Sequence, residues 1–156
     1  MISIDIPGHV GLEISHLVLD YNGTLALDGE LLSGVAERLG DLSAELTIHV
    51  ITADTFGCAR KNLEGLPVSL VIVPALDQVI AKVEYIGKLG VARVVAIGNG
   101  RNDLRMVEAA ALGIAVLQGE GSSVETVLKA DVVSTSILDA LDLLRRPKRL
   151  IATLRS

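Results

Sequence analysis

Short apolar runs alternate along this chain with segments of helical period. Ile14–Asp20 (ISHLVLD), Thr47–Thr52 (TIHVIT), Ser69–Val73 (SLVIV), Val94–Gly98 (VVAIG) and Ile114–Gln118 (IAVLQ) are β-branched and almost continuously apolar. Runs of that kind predict strands covered on both faces, as in parallel sheets. Asp131–Ser134 is a weaker sixth, and Ile2–Ile6 predicts an added edge strand ended by Pro7-Gly8. Between them the spacing predicts helices over Gly34–Leu46, Thr55–Leu63, Leu76–Leu89, Asp103–Leu112, Val124–Lys129 and Leu138–Leu144. Ser33 is the expected N-cap of the first helix, with Glu37 as its capping-box partner. Gly65, Gly90 and Gly113 stand where helix C-caps belong. Strand–helix alternation over the whole chain predicts a doubly wound, Rossmann-like α/β fold, its mainly parallel sheet joined by right-handed crossovers. No repeat, low-complexity tract or linker interrupts it, so residues 1–156 read as a single domain. The basic tail RRPKRLIATLRS reads as a helix C-terminus with a fraying end.

Composition narrows the function. Half the residues are hydrophobic and 21% are charged, a globular balance. Nineteen acids against fourteen Lys and Arg give a net charge of −5, which argues against a nucleic-acid partner. Phe56, Tyr21 and Tyr85 are the only aromatics, too few for a base-stacking surface. The single Cys58 reads as a small core residue and fits a reducing cytoplasm. No apolar stretch approaches the roughly 18–20 residues that cross a membrane, and the first ten residues lack a signal-peptide pattern.

In open α/β sheets, ligands bind beyond the carboxyl ends of the strands. One strand ends in Asp20 and runs into Tyr21-Asn22-Gly23-Thr24; a carboxylate there can be a nucleophile or a metal ligand. Another ends in Thr52, before Ala53-Asp54-Thr55, where a hydroxyl and free backbone N–H groups suit a phosphate oxygen. A third runs into Gly98-Asn99-Gly100-Arg101-Asn102-Asp103, whose oxygens suit a hard cation. Taken singly, each has an ordinary reading as a tight turn, a helix cap or a first-turn acid. Their convergence at one sheet edge is what points to a site.

DYNGTLA, then ITAD, then a helix lysine, then AIGNGRND resembles the four ordered motifs of the haloacid dehalogenase-like phosphohydrolases. The nearer likeness is to the phosphorylation domain of P-type ATPases and its soluble, stand-alone relatives. That resemblance spans roughly Ile14 to Leu144 and is most specific from Val94 to Gly119. It implies a Mg²⁺-dependent phosphohydrolase or phosphotransferase in which Asp20 attacks a phosphorylated substrate and becomes an aspartyl-phosphate. Asn22, Gly23, Thr52 and Ala53 would hold phosphate oxygens, and Lys82, with Lys88 as the alternative, would bridge Asp20 and the phosphate. Asp20, the Asn22 carbonyl, and Asn99 or Asp103 would hold the metal.

Two residues depart from the family pattern. Asn22 stands where the phosphatases carry a second Asp as general acid/base, and an amide cannot take a proton from water at neutral pH. Asn99 replaces the metal-binding Asp of GDGxND, so one negative charge is lost. Both favour a competing reading, a catalytically attenuated regulatory or phosphate- and metal-binding module of the same fold. A receiver-type domain is a poorer fit, because no acidic pair precedes Asp20. Only a small flap, LALDGELL with a turn at Asp28-Gly29, fits between Asn22 and Thr52, so no cap domain is expected. A capless site is open to a macromolecular substrate or covered by a neighbouring subunit, which leaves a homo-oligomer open.

Overall fold

A computed structural model describes residues 1–156. Its order opens with strands β1 (Ile2–Ile4), β2 (Leu12–Ile14) and β3 (His16–Asp20), followed by the flap strands β4 (Ala26–Leu27) and β5 (Glu30–Leu31). Helix α1 (Val35–Leu42), β6 (Thr47–Thr52), α2 (Cys58–Leu63), β7 (Ser69–Ile72) and α3 (Gln78–Leu89) follow. The second half holds β8 (Val94–Gly98), α4 (Leu104–Ala109), β9 (Leu112–Val116), α5 (Val124–Lys129), β10 (Val132–Ser134), α6 (Ile137–Arg145) and α7 (Pro147–Leu154). Six strands form one parallel sheet in the order β10-β9-β8-β3-β6-β7. The fold is therefore the doubly wound, Rossmann-like α/β class, with β3 at the centre and the chain switching sides between its neighbours β6 and β8.

Alternation along the central strands separates two cores. Leu17, Leu19, Ile48, Val50, Val95 and Ile97 belong to the larger, which also takes in Val35 and Leu39 of α1 and Ala140 and Leu141 of α6. Val18, Ile51 and Ala96 belong to the other, with Ile86 of α3 and Met106 of α4. The β-branched runs are thus buried on both faces, as their sequence demands. The edge strands are the exceptions: β7 is half-exposed along its length, and β10 exposes Val133.

Several local expectations are corrected. Ile2–Ile6 adds no edge to the main sheet: β1 pairs antiparallel with β2 in a separate hairpin, whose Ile2, Ile4, Leu12 and Ile14 cap the larger core. Ser33 is not the N-cap of α1; the chain turns at Gly34 with φ 89°, and no side chain caps the helix. Gly113 is no C-cap but lies inside β9, where a Cβ would collide with the Val107 carbonyl oxygen of α4. The basic tail does not fray: Pro147 opens α7, Leu150 is fully buried, and Ser156 N donates to the Pro7 carbonyl at 3.1 Å.

Candidate active site

The carboxyl ends of β3, β6 and β8 bring Asp20, Thr52 and Asn99 to one cleft of about 540 Å³. Asn22, Ala53 and Asn102 also line it. Asp20 is 5% exposed, and its two oxygens have separate partners. Oδ1 accepts from Lys82 Nζ at 2.8 Å, and Oδ2 accepts from Thr24 Oγ1 at 3.2 Å.

Lys82 and Ile86 are one turn apart on the face of α3 that meets the sheet, and both are fully buried. Lys88, six residues on, is exposed, so of the two lysines only Lys82 reaches Asp20. Its ammonium also donates to Asp103 Oδ1 at 2.7 Å. The other Asp103 oxygen accepts from the backbone N–H groups of Asn99 and Gly100, at 3.0 and 2.9 Å. With both oxygens engaged and no exposure, Asp103 stands behind the cleft, anchoring Lys82 and the Asn99 loop, and does not line it.

Charge explains the protonation state. Burial, reinforced by repulsion from Asp103, pushes the Asp20 carboxyl up to about 7, against the pull of Lys82 and Thr24. Burial pulls the Lys82 ammonium down, but Asp103 and Asp20 outweigh it and leave its pKa raised. One lysine thus serves two buried carboxylates, and the cleft adds Asp28 and Asp54 to its walls. So acidic a lining suits a cation before it suits a phosphate.

The donor set fits a hard cation. The Thr24 hydroxyl lies 3.2 Å from both Asp20 Oδ2 and Asn99 Oδ1 and has one hydrogen for the two. It therefore draws a carboxylate oxygen and an amide oxygen together at the cleft floor, beside Asn22, with no nitrogen or sulfur donor at that point. Mg²⁺ takes such oxygens with several waters.

Of the expected site residues, Gly23, Lys82 and Asp103 do not line the cleft: Lys82 and Asp103 stand behind it, and Gly23 shapes the loop. With φ 79° it turns the chain after Asp20, and a Cβ would collide with Asn99 Nδ2 and Glu120 Oε2. Sequence reasoning also missed the residues that hold this loop. Three successive N–H groups, of Thr24, Leu25 and Ala26, converge on the Tyr21 carbonyl at 2.9–3.2 Å. Gln118 Nε2 donates to the carbonyls of Thr24 and Gly23, at 2.7 and 3.2 Å. Cys58, expected in the core, is half-buried and lines the cleft as well as packing against the larger core.

The pattern of a haloacid dehalogenase-like hydrolase matches residues 79–137, the stretch that carries Lys82, Asn99 and Asp103. Two uncharacterised proteins of Methanocaldococcus jannaschii are similar. One is 48% identical over 63 residues, 40% of this chain and 68% of its own length. The other is 46% identical over 39 residues, 25% of this chain and 89% of its own length. Among solved structures, the 3-deoxy-D-manno-octulosonate 8-phosphate phosphatase of Moraxella catarrhalis, in complex with magnesium and phosphate ions, superposes with a TM-score of 0.66 at 22% identity. That match covers 91% of this chain and 94% of the other. The cobalt-bound phosphatase of the same designation from Haemophilus influenzae gives 0.72 at 14% identity, over 92% and 94% of the two chains. The stretch that carries Lys82, Asn99 and Asp103 thus matches the pattern of the haloacid dehalogenase-like hydrolases, and the whole chain shares the fold of the two phosphatases.

Proposed function

We propose that the chain is a Mg²⁺-dependent phosphohydrolase or phosphotransferase that works through an aspartyl-phosphate on Asp20. The observation that carries this reading is the placement of Lys82 Nζ, 2.8 Å from Asp20 and 2.7 Å from Asp103. A fully buried lysine fixed between two carboxylates orients Asp20 and places a fixed positive charge beside the reacting oxygen. Asp20 attacks phosphorus in line, the ester P–O bond breaks, and the leaving oxygen takes up a proton from solvent water in the open cleft. Water then cleaves the acyl phosphate and regenerates the Asp20 carboxylate.

Thr52, Ala53 and Asn22 line the cleft where phosphate oxygens would lie. Asp20, the Asn22 carbonyl and Asn99 Oδ1 would hold Mg²⁺. When bound, Mg²⁺ supplies the positive charge that neutralises the phosphoryl oxygens and keeps Asp20 ionised. Asp103, with both oxygens engaged, is a positioning residue in this reading. Between β3 and α1 the chain forms only the β4–β5 flap, which supports a single domain without a cap. A cleft of about 540 Å³ suits a small phosphoester.

A screen of phosphoesters with Mg²⁺ tests the proposal. Turnover lost in Asp20→Asn supports it; turnover retained in that variant overturns it. One observation favours the attenuated-module reading: Asn99 Nδ2 donates to the Gly121 carbonyl at 3.1 Å, so the amide is built into the loop. Phosphate or Mg²⁺ binding without turnover of any phosphoester would select that reading.

A further inference from the structure

Asn22 leaves the second half of the reaction without its proton acceptor, and the cleft offers few replacements. Three carboxylates line it: Asp20, Asp28 and Asp54. Asp20 carries the phosphoryl group at that stage. Asp54 is committed, its two oxygens accepting from the backbone N–H groups of Ala59 and Arg60 at 2.8 and 3.2 Å. No histidine lines the cleft, and apart from the Cys58 thiol the remaining polar side chains there are amides and hydroxyls.

Asp28 is different. It is exposed at the tip of the β4–β5 flap, and no group of the chain donates to its carboxylate. Both turn residues are left-handed, Asp28 at φ 53° and Gly29 at φ 83°, as a tight two-residue hairpin requires. The tip is also anchored. The Gly29 carbonyl accepts from the Tyr21 hydroxyl at 2.9 Å and from Asn62 Nδ2 at 2.8 Å, and Asn62 Nδ2 also donates to that hydroxyl at 2.9 Å. Tyr21 is the residue next to Asp20 and is 1% exposed, so the flap tip is tied to the residue that directly follows the nucleophile.

We propose that Asp28 is the general base of dephosphorylation, supplied from the flap in place of the carboxylate that Asn22 lacks. This rests on the phosphoaspartate reading above. The water oxygen attacks the phosphorus of the aspartyl-phosphate while its proton passes to the Asp28 carboxylate. The bond from phosphorus to the Asp20 oxygen breaks, Asp20 leaves as carboxylate, and inorganic phosphate is released. A positioned base contributes about 10²–10⁴-fold to such a step.

Radiolabelled acetyl phosphate with Mg²⁺ is the probe, because acetate leaves as an anion and needs no proton. Phosphoenzyme formation and decay are followed separately in the full chain. Asn tolerates the left-handed conformation as Asp does, so Asp28→Asn keeps the turn. The expected result is unchanged formation, decay slowed by about 10²-fold or more, and decay restored when Asn22→Asp is added. Decay in Asp28→Asn equal to wild type overturns the assignment to Asp28 alone, as does slowing that Asn22→Asp fails to restore. No label in wild type, or label that persists in Asp20→Asn, overturns the phosphoaspartate reading itself.

Discussion

Asn99 donates from its side-chain amide to the carbonyl oxygen of Gly121 over 3.1 Å. A carboxylate at this position would face that carbonyl oxygen with no hydrogen between them. Asn99→Asp should therefore cost the metal-free protein about 1–3 kcal/mol, the range for a lost polar partner. It should also tighten Mg²⁺ by adding an anionic ligand. Thermal melts with and without Mg²⁺ should give a larger metal-induced shift than wild type, and calorimetric titration a lower Kd. An unchanged Kd with the fold intact would place Asn99 outside the metal's ligands.

Removing Lys82 leaves Asp20 and Asp103 buried against one another without a cation. Lys82→Met should destabilise the protein by about 3–5 kcal/mol at neutral pH. Adding Asp103→Asn should return part of that loss while leaving activity abolished. Urea denaturation of the two variants checks the first statement, and phosphoenzyme labelling the second.

Asp20 gives the metal-free protein a pH dependence. Its carboxyl is lifted from 3.8 to about 7 by burial and by Asp103, so the folded chain holds this proton more tightly than the unfolded chain. The resulting stability is complete below about 4 and is lost as pH rises through about 7. If Asp20 holds Mg²⁺ as proposed, the metal competes with that proton, so its stabilising effect should grow across the same interval. Melting temperatures on a pH series, with and without Mg²⁺, should diverge towards the alkaline side in wild type. They should stay nearly parallel in Asp20→Asn.

Tyr21→Phe removes one of the two donors to the Gly29 carbonyl. A stability loss of about 1 kcal/mol is expected for one hydrogen bond. If the flap tip carries the base, phosphoenzyme decay should slow more than formation does, because only the water-attack step uses Asp28. Equal slowing of both steps would indicate a general disturbance of the Asp20 loop.

The residues at strand ends were legible because continuous apolar runs announce where strands stop. Asp20, Thr52 and Asn99 follow such runs directly, and β3, β6 and β8 do lie side by side. Helical spacing put Lys82 and Lys88 on different faces but left the choice between them open; it took the burial of Lys82 beside Ile86 to settle which one faces the sheet. The Tyr21–Gly29–Asn62 anchor was not legible, because its partners are 33 and 41 residues apart and no local pattern records their meeting. Gly113 was misread for a related reason. The Ala-rich end of α4 gives no stop signal, and the glycine answers to the close approach of the Val107 carbonyl, a tertiary contact. Likewise the tail's charges suggested a fraying end, while Leu150, with the partly buried Ile151 and Leu154, holds α7 against the larger core.

A lysine with no exposed surface is also chemically silent. Acylating reagents need a neutral, accessible amine, and the Lys82 ammonium offers neither while it is held between Asp20 and Asp103. Lys61, Lys88, Lys129 and Lys148 are exposed and will react first. The rate at which Lys82 is eventually modified therefore measures how often α3 lifts from the sheet, so that the lysine at the heart of the site acts as a built-in clock for opening of the fold.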